Sequence, residues 1–543
     1  MLNALVPWSL LIANVGLVTA AVGPIANTTY GQVMGVHSPY HNNVDVFKGI
    51  PYASPPVGSK RFKPPQQPDA WDGVRNATTF GPQCVQVSSS ASIFTTGSSI
   101  MSEDCLSINI WTPSNATVDS KLPVYFWIYG GRYFEGSGDV PTYDGSIMAS
   151  KDIVVVTFNY RLGILGYFAH PELSAESPYN SSGNYGMLDM VAALEWTHNN
   201  IGQFGGDPDH ITVGGQSAGS CGALDMMLSP LTDGLGVVGV ISETGARGTH
   251  DPSMAGSSTS YRQKAEAEAY GVTFLQEELN LTTVDELRQV PYEVLVEYFP
   301  LNGDYYESTP LVNISAFMEP PVWRPVLDGY AMPYSYSEML KRMAHKDVPI
   351  LTGNNADESG AQVSQDYTVA TYYSTFAEMY GNMSSEFFRL FPASGSVSNV
   401  TEAVNAMYRS LSRVGTWTWA LDWYHGGAQS NVYTYYWTHA PPIGGSGAYH
   451  GSELYYAFGV IPYVNTSAAW TTEDYAVQKK MSAYWANFIK TGDPNGENLP
   501  HWAPSGNSTQ TMWLGDSWGS GDIAPTQEQV QFILDYYKTL PAW

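Results

Sequence analysis

The fold is decided by one stretch, Ile211-Thr212-Val213-Gly214-Gly215-Gln216-Ser217-Ala218-Gly219. It begins as a short apolar strand, passes through the pattern Gly-X-Ser-X-Gly and runs into a segment of helical character. A nucleophilic serine can stand on such a strand-to-helix turn, where small neighbours let a strained backbone close. The turn exposes Ser217 at the end of a sheet, beside a helix N-terminus whose amides favour negative charge. The stretch therefore predicts a catalytic serine; the alternative is a glycine-rich turn with an incidental serine.

Apolar runs bounded by loops alternate with helical patterns on both sides of this stretch. Strands are expected at 122–129, 153–158, 348–351 and 432–437, and a helix at 186–196. Strands that alternate with helices argue for a mostly parallel sheet covered by helices on both faces. Together with the serine turn, this pattern predicts an α/β-hydrolase fold. We expect one catalytic domain over residues 21–543, with a helical insertion over the site at about 250–345.

The serine needs an acid–base pair, because a hydroxyl is a weak nucleophile at neutral pH. In this fold the order along the chain is serine, then Asp or Glu, then His. After Ser217, the strand expected at 348–351 leads to Asp357 and Glu358, and these residues by themselves do not decide which is the acid.

The base is expected at His450, which stands in a glycine-rich loop suited to presenting a side chain. Three other histidines lie beyond the acid, and structural roles are expected for them: His425, His439 and His501. Backbone amides must also stabilise the negative oxygen that forms during attack. Ala218, directly after the serine, supplies one amide, and Gly131 and Arg132, in the loop that closes the strand at 122–129, supply the others.

Five further motifs follow one another along nearly the whole chain. They are Phe47-Lys48-Gly49-Ile50-Pro51-Tyr52-Ala53, Glu103-Asp104-Cys105-Leu106-Ser107-Ile108-Asn109, Asn159-Tyr160-Arg161-Leu162-Gly163, Gly183-Asn184-Tyr185-Gly186 and Phe204-Gly205-Gly206-Asp207-Pro208. In this order they resemble the signatures of the type-B carboxylesterases, a family that includes cholinesterases, bile-salt-activated lipases and fungal lipases. The resemblance implies Glu358 as the acid and His450 as the base. It also implies a disulfide between Cys84 and Cys105.

The resemblance extends to residues that support the site. It implies that Arg61 with Glu103, and Arg161 with Asp189, form structural ion pairs. Thr244 stands where the family has a serine, and its hydroxyl is expected to form a hydrogen bond near Glu358.

Departures from the family pattern bear on the substrate. Arg132 stands where the family usually has a third glycine, so a cationic side chain lies near the site. Gln216 replaces the glutamate that cholinesterases place before the serine. The 20 residues between the two cysteines include no tryptophan, so the cation-stacking ring of cholinesterases is missing and a choline ester is not expected. The same loop is shorter than the lid of the fungal lipases, which favours small or soluble esters. Its Phe94 is expected to line the pocket mouth; the alternative is that this side chain only packs against its neighbours.

Arg132 and Arg247 are two of only 24 basic residues, and both fall on motifs of the expected site. They favour a substrate that carries a carboxylate or another electron-rich polar group. The alternative is that both arginines pair with structural acids, which a chain with 50 Asp and Glu residues offers in number. The predicted substrate contacts are therefore Gln216, Arg247 and Phe94.

Residues 1–20 are expected to be a secretory signal peptide, because an apolar run from Leu5 ends in small residues near Ala20. No Lys or Arg precedes the run, and the alternative is a buried N-terminal helix. N-glycosylation sequons agree with secretion, and so does a disulfide. Their asparagines are Asn27, Asn76, Asn115, Asn180, Asn280, Asn313, Asn382, Asn399, Asn465 and Asn507.

Composition narrows the partners. The net charge of −26 argues against binding to nucleic acid or to an anionic membrane surface. No stretch after the leader approaches the ~20 apolar residues of a membrane span. No metal is expected, since no His and Cys residues show ligand spacing, and the expected chemistry requires no cofactor.

The sequence therefore predicts a secreted serine carboxylic-ester hydrolase that acts on a small-molecule ester through an acyl-enzyme. An acyltransferase, lactonase or cyclising enzyme of secondary metabolism would use the same acyl-enzyme with a different acceptor. A non-catalytic adhesion protein of the family is the other alternative, although here all three triad positions are filled.

Overall fold

Runs of β-branched and aromatic residues form the strands at the centre of the molecule. The run Val-Val-Val-Thr-Phe at Val154–Phe158 is buried throughout, as are the last five residues of Leu122–Ile128. Such continuous apolar runs are typical of strands that are covered on both faces. The computed structural model describes residues 23–87, 92–96, 100–253, 261–314, 316–464, 467–506 and 508–542. The expected signal peptide and the sequons at Asn465 and Asn507 lie outside these residues.

Within these residues the strands are β1 (Ile25–Thr28), β2 (Gly31–Met34), β3 (Val36–His37), β4 (Val44–Pro51), β5 (Val74–Asn76), β6 (Gln83–Cys84), β7 (Met101–Ser102), β8 (Ser107–Pro113), β9 (Leu122–Ile128), β10 (Val154–Phe158), β11 (Gly206–Gln216), β12 (Val237–Glu243), β13 (Arg262–Gln263), β14 (Val326–Leu327), β15 (Ile350–Asn355), β16 (Val432–Trp437), β17 (Gln510–Leu514) and β18 (Gly519–Asp522). The helices are α1 (Ser146–Ala149), α2 (Gly163–Tyr167), α3 (Pro171–Glu176), α4 (Tyr185–Asn200), α5 (Ala218–Leu228), α6 (Lys264–Glu277), α7 (Val284–Leu287), α8 (Tyr292–Leu295), α9 (Tyr336–Lys341), α10 (Val369–Tyr380), α11 (Ser384–Leu390), α12 (Val397–His425), α13 (Leu454–Ala457), α14 (Thr472–Thr491) and α15 (Gln527–Tyr537).

The central sheet of the described residues has eleven strands in the order β18-β17-β16-β15-β12-β11-β9-β10-β8-β4-β3. From β17 to β10 the neighbouring strands pair in parallel. The outer strands β18, β8, β4 and β3 pair antiparallel. Short loops join β17 to β18 and β3 to β4, which antiparallel neighbours allow. The predicted mostly parallel sheet is confirmed for its central part, and the edges make it a mixed sheet.

The sheet places the ends of several strands beside the serine turn. β11 lies between β9 and β12, and β15 follows β12. Because these strands are parallel, their carboxyl ends lie along one edge, where ligands bind in open α/β sheets. The loops that carry the predicted oxyanion residues, the serine and the acid all leave the sheet at this edge.

The described residues contain two large hydrophobic clusters and a small third one. The larger one surrounds the sheet. The second unites Phe317 with residues of α10, α12 and α15, including Phe376, Tyr408 and Ile533. The segment predicted as an insertion contains α6 to α9 and the two-stranded β13–β14 sheet. Part of that segment therefore packs on helices that come much later in the chain.

Covalent and ionic ties lie where the family resemblance places them. Cys84 and Cys105 form a disulfide, and Cys221 is a buried thiol in α5. Arg161 binds Asp189 through Nη2 and Oδ1 at 2.7 Å, with both side chains almost fully buried, and Arg61 binds Glu103. No helix in the described part of the chain combines the length and the apolar character that a membrane crossing needs.

Candidate active site

Ser217 lies on the sharp turn between β11 and α5. Its backbone has φ 58° and ψ −125°, and its N–H donates to the carbonyl of Glu243 at 2.9 Å. The positive φ is strained for a residue with a side chain, and such strain is typical of a nucleophile elbow. A Cβ on Gly215 would lie 2.1 Å from the carbonyl oxygen of Gly219, and one on Gly219 would lie 2.1 Å from that of Ile128. Both glycines of the motif are therefore required by contact with the backbone.

Glu358 and His450 form a hydrogen-bonded carboxylate–imidazole pair beside Ser217. Glu358 Oε2 lies 2.7 Å from His450 Nδ1, and Glu358 Oε1 accepts the N–H of Asn355 at 2.8 Å. The carboxylate is 3% exposed, whereas the imidazole is 40% exposed. A carboxylate at Nδ1 fixes the tautomer in which Nε2 can accept a proton. The structure thus brings together the two residues that the family resemblance implies.

Asp357, the alternative acid, lies elsewhere. Its carboxylate binds Arg409 of α12 at 2.5 Å and accepts the N–H of Ala448 at 2.8 Å. Its own N–H donates to the carbonyl of Ala448 at 3.0 Å. A Cβ on Gly447 would lie 2.1 Å from Asp357 Oδ2, so the glycine permits this approach. We call this set of contacts the Asp357 clamp; it holds the loop that carries the histidine.

Three backbone N–H groups near Ser217 are free to bind a ligand. Within the described residues, those of Gly131, Arg132 and Ala218 donate to no other protein group. Gly130 lets the loop that carries Gly131 and Arg132 approach Ser217. A Cβ on Gly130 would lie 3.0 Å from Ser217 Cβ and 2.6 Å from the carbonyl oxygen of Gln216. Preorganised N–H groups of this kind can stabilise a developing oxyanion.

Gln216 and Thr244 pack against the histidine. Gln216 is fully buried, and its amide nitrogen lies 3.2 Å from His450 Nε2 and 2.9 Å from Thr244 Oγ1. Thr244 Oγ1 lies 3.3 Å from His450 Nδ1, the same atom that binds Glu358. Gln216 was predicted as a substrate contact, but the structure places it behind the imidazole and not on the cavity wall. Phe94 likewise lies beside His450, with 6.4 Å between ring centroids, and not among the cavity-lining residues.

The electrostatics of the pair favour a protonatable histidine. Burial by itself would lower the pKa of His450, but the hydrogen bond and the charge of Glu358, with a smaller contribution from Glu453, outweigh it. The pKa of His450 is therefore raised above its usual value. In the described residues Ser217 forms no hydrogen bond to His450, although both line one cavity. Catalytic hydrogen bonds of this kind often tighten only when substrate binds.

Sequence reasoning missed two buried carboxyl groups behind the site, those of Glu243 and Glu453. Both residues are 0% exposed, and each has one oxygen without a hydrogen-bond partner. Burial is the main cause that raises the pKa of Glu453 to about 7, and burial also raises the pKa of Glu243 well above its usual value. Glu453 follows the histidine by three residues, and Glu243 precedes Thr244. Their positions beside motif residues are the only sequence signal that could have found them.

A cavity of about 480 Å³ opens above Ser217. Its floor contains Ser217, Ala218, Glu358 and His450, and its walls carry Arg132 and Arg247. The sequence did not single out the rest of the wall, which consists of Ala316, Phe317, Met318, Pro321, Gln362, Gln365, Tyr367 and Tyr408. Phe317 and Tyr408 are in contact there, with 6.3 Å between ring centroids. Within the described residues, no group of three or more His, Cys, Asp and Glu side chains is arranged to hold a metal ion.

A serine elbow at the carboxyl edge of a mostly parallel sheet, with a Glu–His pair above it, defines an α/β-hydrolase. The comparison with protein families goes further. Residues 22–533 match the model of the carboxylesterase family, and the chain belongs to that family. It is a carboxylic ester hydrolase.

Individual relatives are similar over most of their length. The fumonisin B1 esterase of Sphingopyxis macrogoltabida is 32% identical over 537 residues, which are 95% of this chain and 92% of the relative. The human cocaine esterase is 33% identical over 535 residues, 92% of this chain and 89% of the relative. Among solved structures, a PNB esterase superposes with a TM-score of 0.74 at 30% identity, covering 94% of this chain and 99% of the other.

Proposed function

We propose that this esterase acts through a Ser217–His450–Glu358 triad and an acyl-enzyme, and that it works outside the cell. In the first step His450 Nε2 takes the proton of Ser217 as Oγ forms a bond to the ester carbonyl carbon. The bond to the alcohol oxygen then breaks, and the proton passes from His450 to the leaving alcohol. Water repeats the sequence on the acyl-enzyme, which releases the carboxylic acid and restores Ser217.

The residues around the triad support each step. The N–H groups of Gly131, Arg132 and Ala218 are placed to bind the negative oxygen, and one such donor contributes roughly 3–4 kcal/mol in comparable sites. Glu358 holds the imidazole in the required tautomer and stabilises its charged form. Attack requires Ser217 Oγ to come within hydrogen-bond reach of Nε2.

The observation that carries the proposal is the hydrogen bond of 2.7 Å between Glu358 and His450 in the cavity that Ser217 lines. Adjacent carboxylates offer a matched pair of variants to test it. Glu358→Gln removes the charge at the imidazole, and we expect kcat on p-nitrophenyl acetate to fall by about 10³–10⁴-fold. Asp357→Asn keeps an acceptor for Ala448, and we expect a much smaller loss. Equal losses in the two variants would contradict the assignment.

Covalent labelling tests the nucleophile directly. Paraoxon should add one diethyl phosphate group per molecule, located on Ser217 by mass spectrometry of peptides, and Ser217→Ala should not be labelled. Labelling at another residue, or none, would refute the triad. Chromatography of the products in the presence of alcohols then tests the acceptor, because transfer to an alcohol in preference to water would identify an acyltransferase.

Secretion rests on the leader and on the positions of the sequons. Eight sequon asparagines lie in the described residues, and all are exposed: Asn27, Asn76, Asn115, Asn180, Asn280, Asn313, Asn382 and Asn399. Glycosylation requires such exposure, and a disulfide suits an oxidising compartment. Expression of the full chain in a eukaryotic host should yield esterase in the medium, and an endoglycosidase should increase its electrophoretic mobility. Retention of unglycosylated enzyme inside the cells would contradict the proposal.

A further inference from the structure

Arg132 places a cation on the cavity wall, and no ion pair joins it to a carboxylate of the described residues. Its Nη2 donates to two neutral acceptors, Asn302 Oδ1 at 2.9 Å and the carbonyl of Glu319 at 2.6 Å. Its Nε is buried and has no hydrogen-bond partner in the part of the chain that the structure describes. The guanidinium also lies 5.7 Å from the ring centroid of Phe134. The side chain is thus held in place by neutral groups, and no carboxylate of the described residues forms a direct pair with it.

Arg247, the other arginine of the wall, differs in this respect. Its Nη1 lies 3.2 Å from Asp251 Oδ2, and both side chains are almost fully buried. Its Nη2 donates to Ser359 Oγ at 2.7 Å. The alternative that an arginine of the site pairs with a structural acid therefore holds for Arg247 and not for Arg132.

The backbone at Arg132 adds a second, independent observation. Its φ is +52°, directly after Gly131 at +106°. A side chain is strained in this left-handed region, and glycine adopts it freely. The position therefore carries a bulky cation where a glycine would fit the backbone better. Strain that persists at a site is a pointer to function.

The pKa of Arg132 is what a cation that lacks a direct anionic partner would show. Burial lowers the pKa of the guanidinium, and the charge of Glu135 opposes that shift only in part. A buried cation gains most from a partner that is both charged and able to accept two hydrogen bonds, such as a carboxylate.

We propose that Arg132 binds a free carboxylate of the substrate, so that the preferred substrates are monoesters of di- or polycarboxylic acids. This inference rests on the proposed acyl-enzyme mechanism. The N–H of Arg132 faces the oxyanion and its side chain starts from the same residue. A carboxylate a few bonds from the scissile carbonyl, as in the acyl part of such a monoester, is therefore within reach of the guanidinium.

Two substrates of nearly the same shape test the proposal. Monoethyl glutarate carries the carboxylate, and ethyl 5-oxohexanoate replaces its charged end with a methyl ketone. We expect wild-type kcat/KM to favour monoethyl glutarate by about tenfold or more, as for one charge-assisted hydrogen bond. In Arg132→Gln and Arg132→Gly this ratio should fall to about one, and Arg132→Lys should keep part of it. The ratio is the readout because a general loss of activity cancels from it.

Asn302→Asp provides a variant that leaves the backbone N–H groups and the cavity wall unchanged. Its new carboxylate would pair with Nη2 of Arg132, so the preference for monoethyl glutarate should fall while hydrolysis of the neutral ester continues. An unchanged ratio in the Arg132 and Asn302 variants would overturn the carboxylate assignment. Failure of the triad is a separate outcome, because paraoxon would then label the wild type at a residue other than Ser217 or not at all.

Discussion

Gly219 offers a sharp test of how the elbow fixes the site. In Gly219→Ala the new Cβ would lie 2.1 Å from the carbonyl oxygen of Ile128 and 2.6 Å from that of Tyr129. Ordinary contact begins at 3.4 Å, so the backbone must move by about 1.3 Å. The displaced segment leads into the loop that carries Gly131. A misplacement of about 1 Å costs roughly 10²-fold in rate, and we expect at least that loss in kcat/KM.

Gly222 is the matched control, because it lies in the same helix α5. A Cβ there meets Met190 Sδ at 3.1 Å and Ile128 Cγ2 at 3.3 Å, both of them side-chain atoms that need to give by only a few tenths of an ångström. Gly222→Ala should keep its activity and gain about 1 kcal/mol, since alanine favours a helix interior over glycine. The assay is kcat/KM on p-nitrophenyl acetate with active sites titrated by paraoxon, beside thermal unfolding followed by circular dichroism. The reasoning fails if Gly219→Ala stays within about threefold of the wild type, or if both variants lose activity equally.

Three further predictions concern pH, a buried ion pair and the disulfide. The pKa of His450 is raised, so kcat/KM should fall on the acid side at a pH above the usual histidine pKa of about 6.5. A pH–rate profile in which kcat/KM reaches half its maximum below pH ~6.5 would contradict this. Asp189→Asn leaves the buried charge of Arg161 without its partner. The free energy of unfolding, measured by guanidinium titration, should therefore fall by about 3–5 kcal/mol. A loss under about 1 kcal/mol would contradict this expectation. Replacing Cys84 and Cys105 by serine opens a loop with a sequence separation of 21 and should cost about 3 kcal/mol, a difference that must vanish when the wild type is reduced.

The central strands of the fold could be predicted because each contains a continuous run of apolar residues. The run at 432–437 matches β16 residue for residue. The apolar core at 211–213 is only the middle of β11, which extends over polar residues from Gly206. Backbone pairing with β9 and β12 carries that strand beyond its apolar part, and pairing is a tertiary property that no local pattern contains.

The site could be predicted as far as its motifs reach. The sequence could not decide whether Asp357 or Glu358 is the acid, because both follow the same strand. Only their partners in the folded structure differ. The cavity wall formed by Phe317 and Tyr408 could not be predicted either. The two residues are far apart in the chain and meet only through the second hydrophobic cluster.

The Asp357 clamp makes the alignment of Glu358 and His450 depend on α12. Asp357 ties the loop that carries His450 to the strand end that carries Glu358 and to Arg409 of α12. Phe317 of the cavity wall packs against Tyr408, the residue before Arg409, with 6.3 Å between ring centroids. The wall that meets the substrate and the anchor of the histidine loop therefore share one helix. Under the proposed mechanism, a substitution that reshapes this wall for a new ester also affects the geometry of proton transfer.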